Sequence, residues 1–225
     1  MLHTIDAGLL PYPQAWDLQV QLVEQVHAGE FPDGALLLLE HPPVITIGRR
    51  AGAAKHLLAS PKMLEAQGIA VVETDRGGDI TYHGPGQLVA YPILPLNAYG
   101  LNLHAYMRLL EQAVIETLAA FGVVGLRSEG ATGVWVQDPL RRAPDGLAKI
   151  CALGIKVRRW VSFHGIALNN TTNLQHFALI NACGLSRPVT SLQQCLGAAT
   201  PPMTGLKTAF AQALESALAR LPRTS

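Results

Sequence analysis

Apolar residues recur along the chain in two different rhythms. Between Gln14 and His27, behind Pro13, Ala15, Leu18, Leu22, Val23 and Val26 return at three- and four-residue spacing, which predicts an amphipathic helix. Leu103, Tyr106, Leu110, Val114 and Leu118 repeat that rhythm over 103–121, with Asn102 placed to cap the first turn and Gly122 beyond the last. A closing helix is expected over about 205–221, and a short one from Pro61 to near Gly68. Elsewhere the apolar runs are short and nearly continuous. ALLLLE (35–40), VITI (44–47), IAVVE (69–73), QLVAYPIL (87–94), TGVWV (132–136), KICALGIKV (149–157) and WVSFHGIALN (160–169) read as strands. The last two are joined through Arg158-Arg159, and PLRRAPDG (139–146) reads as an exposed turn. Strand pairs with helices gathered between them predict an α/β fold of the α+β type, with mixed sheets and flanking helices. No repeat or Ser/Gly linker divides the 225 residues, so a single domain over 1–225 is expected.

Composition narrows the class. Hydrophobic residues make up 49% and charged residues 15%, a globular balance without a disordered bulk. No apolar run approaches the roughly 18–20 residues of a membrane span, and the first residues lack the pattern of a signal peptide. A net charge of +1 argues against general nucleic-acid affinity. Three cysteines at 151, 183 and 195 make neither a disulfide framework nor a zinc site, so a reducing cytoplasm is the expected setting. The histidines show no metal-ligand spacing, and no metal is expected.

Candidate chemistry gathers at three glycine-bearing segments: Arg76-Gly77-Gly78, Ala152-Leu153-Gly154 and His164-Gly165-Ile166-Ala167. Each puts glycine beside strand-like residues, where backbone amides can face a carbonyl oxygen closely enough to stabilise an oxyanion. Glycine there also suits plain turns and bulges. Cys183 precedes a glycine, and a thiol with a pKa of ~8.5 needs a neighbouring cation or base to act as a nucleophile at neutral pH. Lys149 opens an otherwise apolar strand and is the candidate cation; its plainer reading is a strand-end residue with its head in water. Cys183 has a plainer reading as a small core residue, and Cys151 is a rival nucleophile that points the same way as Lys149 if the strand is regular. His83 and His164 could activate a thiol or simply hold backbone groups, and Trp135 reads as core or pocket wall.

EHPPVITIGRR, DRGGDITYHGPGQLVAYPILPL, TGVWV, KICALGIKVRRWVSFHGIALN and ACG follow one another in an order that resembles the octanoyltransferases of lipoate biosynthesis, from about residue 6 to 195. The resemblance implies the catalytic fold of biotin and lipoate protein ligases. It implies transfer of an octanoyl group from octanoyl-acyl carrier protein to a lysine of lipoyl domains, in 2-oxoacid dehydrogenase complexes and glycine cleavage H protein. By the same resemblance Cys183 carries the acyl thioester, Lys149 lowers its pKa, and no cofactor is needed. Substrate would lie along Arg76, Gly77, Gly78, Asp79, Ile80, Thr81, Tyr82 and His83, along Ala152, Leu153 and Gly154, and along Gly165, Ile166 and Ala167. Arg49 and Arg158 become candidates for docking an acidic carrier. Burying an eight-carbon chain at ~0.8 kcal/mol per CH₂ offers roughly 5 kcal/mol for selecting its length. The rivals are an ATP-dependent lipoate or biotin ligase and a non-catalytic acyl-binding protein of the same fold.

Overall fold

The computed structural model describes residues 1–181 and 187–222. Cys183 therefore lies outside the described residues. The apolar runs become the strands of a seven-stranded sheet. These are β1 (His3–Leu9), β2 (Ala35–Glu40), β6 (Gln87–Ile93), β7 (Leu126–Ser128), β8 (Ala131–Gln137), β9 (Leu147–Arg158) and β10 (Val161–Asn169), in the order β1-β2-β6-β10-β9-β8-β7. Only β1 and β2 run parallel; every other pair is antiparallel. A second sheet of three strands has the order β4-β3-β5, from β3 (Val44–Ile47), β4 (Ala70–Glu73) and β5 (Ile80–His83).

Both faces of the large sheet are covered, which is why β2 and β6 read as unbroken apolar runs. Leu37, Leu39, Val89, Tyr91 and Phe163 meet Ala15, Leu22, Val23 and Val26 of helix α1 (Tyr12–His27). On the opposite face Leu36, Leu38, Leu88, Ala90 and Leu168 meet α3 (Leu103–Ala119) and the last long helix, α4 (Met203–Ala219), through Tyr106, Leu110, Val114, Leu206, Phe210 and Leu214. Leu110 is fully buried there, and Leu110→Ala would cost about 2–5 kcal/mol. The smaller sheet has its own core of Ile45, Ile80 and Tyr82, with Leu64 from the short helix α2 (Pro61–Ala66).

Asn102 caps α3 as its position suggests, its side chain accepting from the Ala105 amide at 2.9 Å. Leu103 departs from the expected core stripe: it is 52% exposed, because the first turn of α3 overhangs a cleft. Strands β1, β5 and β7 have no counterpart among the sequence expectations. The first and last are sheet edges with few buried side chains, and β5 is hidden within the glycine-rich stretch.

Candidate active site

Between the small sheet and the middle of β9 and β10 lies a cleft of about 490 Å³. Pairing in the large sheet sets Gly154 opposite Gly165, Leu153 opposite Ile166 and Ala152 opposite Ala167. Two of the glycine-bearing segments thus lie side by side in one floor. The third reaches them by a backbone contact, the Gly77 amide donating to the Ile155 carbonyl at 2.9 Å. A side chain at Gly154 would lie 3.1 Å from the Gly77 carbonyl and 3.2 Å from Arg76 Cδ, so any other residue would push this loop back by a few tenths of an ångström. The Gly77 amide is consequently engaged in closing the cleft and is not free to hold an oxyanion.

The structure gives the expected residues of 76–83 different tasks. Arg76 folds back on β3: Nη2 donates to the Thr46 carbonyl (2.8 Å) and Thr46 Oγ1 (3.0 Å), and Nη1 to the Gly77 carbonyl (3.2 Å). Asp79 is buried and accepts from His56 Nδ1 (2.7 Å), Arg50 Nη1 (3.3 Å) and the Ile80 amide (2.8 Å), which shapes the loop before β5. Gly77, Gly78, Ile80, Thr81 and His83 line the cleft together with these two. Tyr82 faces the other way, as strand alternation requires, and its hydroxyl meets His176 Nδ1 at 2.7 Å in the small core.

Lys149 lies at one end of the cleft. Residues 188–190 take the place beside it where β10 has ended: the Lys149 amide donates to the Pro188 carbonyl (2.9 Å) and its carbonyl accepts from the Thr190 amide (2.9 Å). Its neighbour on the other side is Trp135, directly opposite on β8. A polar chain joins this end to the small sheet. His83 Nδ1 donates to Gln87 Oε1 (2.7 Å), Gln87 Nε2 to Asn169 Oδ1 (2.9 Å), and Asn169 Nδ2 to the Thr190 carbonyl (3.0 Å). Burial, assisted by the nearby His41, holds His83 neutral with its pKa well below the usual histidine range.

Cys151 does not share the direction of Lys149. Val134 opposes Cys151 while Trp135 opposes Lys149, so an extra residue, Ile150, bulges β9 between them and breaks the alternation. Cys151 consequently packs in the large core, fully buried, and burial pushes its thiol pKa far up. This corrects the expectation drawn from a regular strand. Cys195 is half-buried, and burial raises its pKa as well.

At the other end of the cleft stands His164, a non-glycine residue with a positive φ of 57° inside β10. Its Nε2 meets Asp75 Oδ1 at 3.1 Å, and Asp75 also pairs with Lys156. Burial of His164 outweighs the help of Asp75 and brings its pKa down to about 4. Burial acts on Asp75 in the opposite sense, but the hydrogen bonds from Lys156 and His164 prevail and keep its pKa low. Alongside these, sequence reasoning missed Gln87, Asn169, Leu103 and Met107 as cleft residues. Asn169 ends an apolar strand, and that polar interruption was the available signal. Among the described residues no group of three metal-ligating side chains comes together, and no helix is long and apolar enough to cross a membrane.

The model of the lipoyl protein ligase A/B catalytic domain family matches residues 11–215. An octanoyltransferase of Gloeobacter violaceus is 52% identical over 190 residues, covering 84% of this chain and 79% of that protein. Among solved structures, a bipartite lipoate protein ligase of Thermoplasma acidophilum superposes with a TM-score of 0.68 at 15% identity, covering 97% of this chain and 85% of that one. The biotin protein ligase of Aquifex aeolicus gives a TM-score of 0.53 at 11% identity, covering 98% and 70%. The chain belongs to the lipoyl protein ligase A/B catalytic domain family and is a transferase enzyme of it. The structural likenesses extend the shared fold to biotin ligases.

Proposed function

We propose that the chain, as one catalytic domain over 1–225, moves an octanoyl group from octanoyl-acyl carrier protein to a lysine of lipoyl domains, in the cytoplasm. The acceptors are lipoyl domains of 2-oxoacid dehydrogenase complexes and the glycine cleavage H protein. The observation that carries this reading is the cleft itself: a glycine-floored, largely apolar groove with a lysine at one end. Gly77, Gly78, Ala152, Leu153, Gly154, Gly165, Ile166 and Ala167 offer main chain and small apolar side chains to an acyl chain. Arg76 and Asp79 act by holding the loop in shape.

Cys183 is the nucleophile in this reading. It stands four positions before Arg187, where the described chain resumes, two residues before Val189 bridges Lys149. The Cys183 thiolate attacks the carrier thioester carbon, and the C–S bond to the carrier breaks with the carrier thiol taking up a proton. The neutral lysine amine of the acceptor then attacks the new thioester, giving an amide and returning the Cys183 thiol. Lys149 as an ammonium favours the thiolate in the first step. Exchanging a thioester for an amide is downhill, so neither nucleotide nor cofactor is required.

The test is transfer to a lipoyl domain with purified components lacking nucleotide. Octanoyl-carrier protein should support modification, and free octanoate with ATP should not. The reverse pattern would make the chain a ligase.

A further inference from the structure

We propose that Trp135 is a positioning residue of the transfer reaction, its indole face holding the Lys149 ammonium in place at its end of the cleft. This rests on the reading of Lys149 and Cys183 given above. Lys149 Nζ lies 4.7 Å from the centroid of the Trp135 ring, within the range of a cation–π contact. The lysine stem reaches that position by crossing Gly133, two residues earlier on the same face of β8. A side chain at Gly133 would lie 3.3 Å from Lys149 Cε and 2.7 Å from the Cys151 carbonyl, and the residue has a φ of 121°. Gly133 is fixed in turn by buried Glu111, which accepts its amide at 3.2 Å and pairs with Arg108 and Arg127.

The indole is almost wholly buried, and among the described residues its Nε1 finds no hydrogen-bond partner. The polar contact that it makes with a described residue is through the face of the ring, where the Lys149 ammonium lies. A second cation lies against the same ring. Arg187 Cζ lies 5.0 Å from the same centroid, held by Asp145 (2.6 Å) and Ser128 (2.7 Å). Arg187 is the first described residue after the segment that contains Cys183. One ring therefore contacts both the lysine and the first described residue after the nucleophile's segment.

The test is the pH dependence of Cys183 alkylation by iodoacetamide, followed by peptide mass in a Cys195→Ser background. Tryptophan analogues of increasing fluorine content at position 135 keep the ring's shape while weakening its face. The alkylation midpoint should rise stepwise, by about 0.5 to 1 pH unit in total, and Trp135→Phe should fall within that range. In a Lys149→Met background the dependence on fluorination should vanish. A midpoint that stays constant through the series, while Lys149→Met alone raises it, overturns the role of Trp135. A midpoint that Lys149→Met also leaves unchanged overturns the reading of Lys149 itself, and this inference with it.

Discussion

The two ends of the cleft treat charge in opposite ways. Lys149 and Ile155, the cross-strand partner of His164, are six positions apart on β9, roughly 20 Å at the rise of a strand. At the Lys149 end, an aromatic face receives a cation. At the His164 end the charged groups are tied down, Asp75 to Lys156, Asp79 to Arg50 and Arg76 to Thr46, and burial keeps the imidazoles neutral: His164 although a carboxylate stands 3.1 Å away, and His41 and His83 nearby for the same reason. A charge near the reacting atoms can tune a nucleophile, whereas a charge along the apolar floor would have to be desolvated whenever an acyl chain entered. The difference assigns chemistry to the first end and shape to the second.

Removing the cation should have the largest effect. Lys149→Met is expected to lower transfer by about 10²–10⁴-fold and move the alkylation midpoint of Cys183 towards ~8.5. An unchanged midpoint with lost transfer would place Lys149 later, at the incoming amine. Misplacing the cation without removing it should cost less. Gly133→Ala forces a side chain against the Lys149 stem, and a drop in transfer of about tenfold or more is expected. Gly122→Ala is the control, since Gly122 also has a positive φ, 76°, but no atom nearby. Gly122→Ala should lose about 1–3 kcal/mol of stability to backbone strain and Gly133→Ala more, since its side chain also meets the Cys151 carbonyl at 2.7 Å, and only Gly133→Ala should lose transfer. Equal loss of transfer in the two would separate Gly133 from Lys149.

The neutral end should show itself in stability instead. His41 and His164 have pKa values of about 4 when folded and the ordinary 6.5 when unfolded, so the unfolded chain binds more protons between those values. The stability these two contribute above pH 6.5 should therefore decline as the pH falls to about 4, and the low-lying groups His83, Asp75 and Asp138 should carry the loss on below it. Each histidine contributes at most about 3 kcal/mol. Urea unfolding across that range checks this, and a flat profile would contradict it.

A charge beyond both ends should matter least. Arg158 ends β9 at an exposed turn, past the residues that line the cleft. Arg158→Glu is expected to slow transfer from carrier protein a few-fold at low salt and to spare a small octanoyl thioester. Equal losses with both donors would give the arginine a role in shaping the cleft.

The same contrast shows how far sequence reasoning reaches. Strands buried on both faces, such as 35–40 and 87–94, are legible because their apolar runs are continuous. The edge strands β1 and β7 bury too little to leave such a mark. Each glycine-bearing segment is visible by itself, but the register that sets Gly154 beside Gly165 and brings Gly77 to Ile155 belongs to tertiary structure. The bulge at Ile150 is illegible for a related reason. No residue type announces it, and it decides that Lys149 reaches the cleft while Cys151 enters the core. His164 is legible as a strand residue, but its positive φ and its tie to Asp75, far away in sequence, are not.

The most direct test of the account is the mass of the protein after incubation with octanoyl-carrier protein and no acceptor, followed by peptide mapping. One octanoyl group should be found on the peptide containing Cys183. It should be absent from Cys183→Ala, present in Cys195→Ser, and lost when a lipoyl domain is added. An adduct that persists in Cys183→Ala and maps to Cys151 would contradict the assignment of the nucleophile and the core placement of Cys151 together.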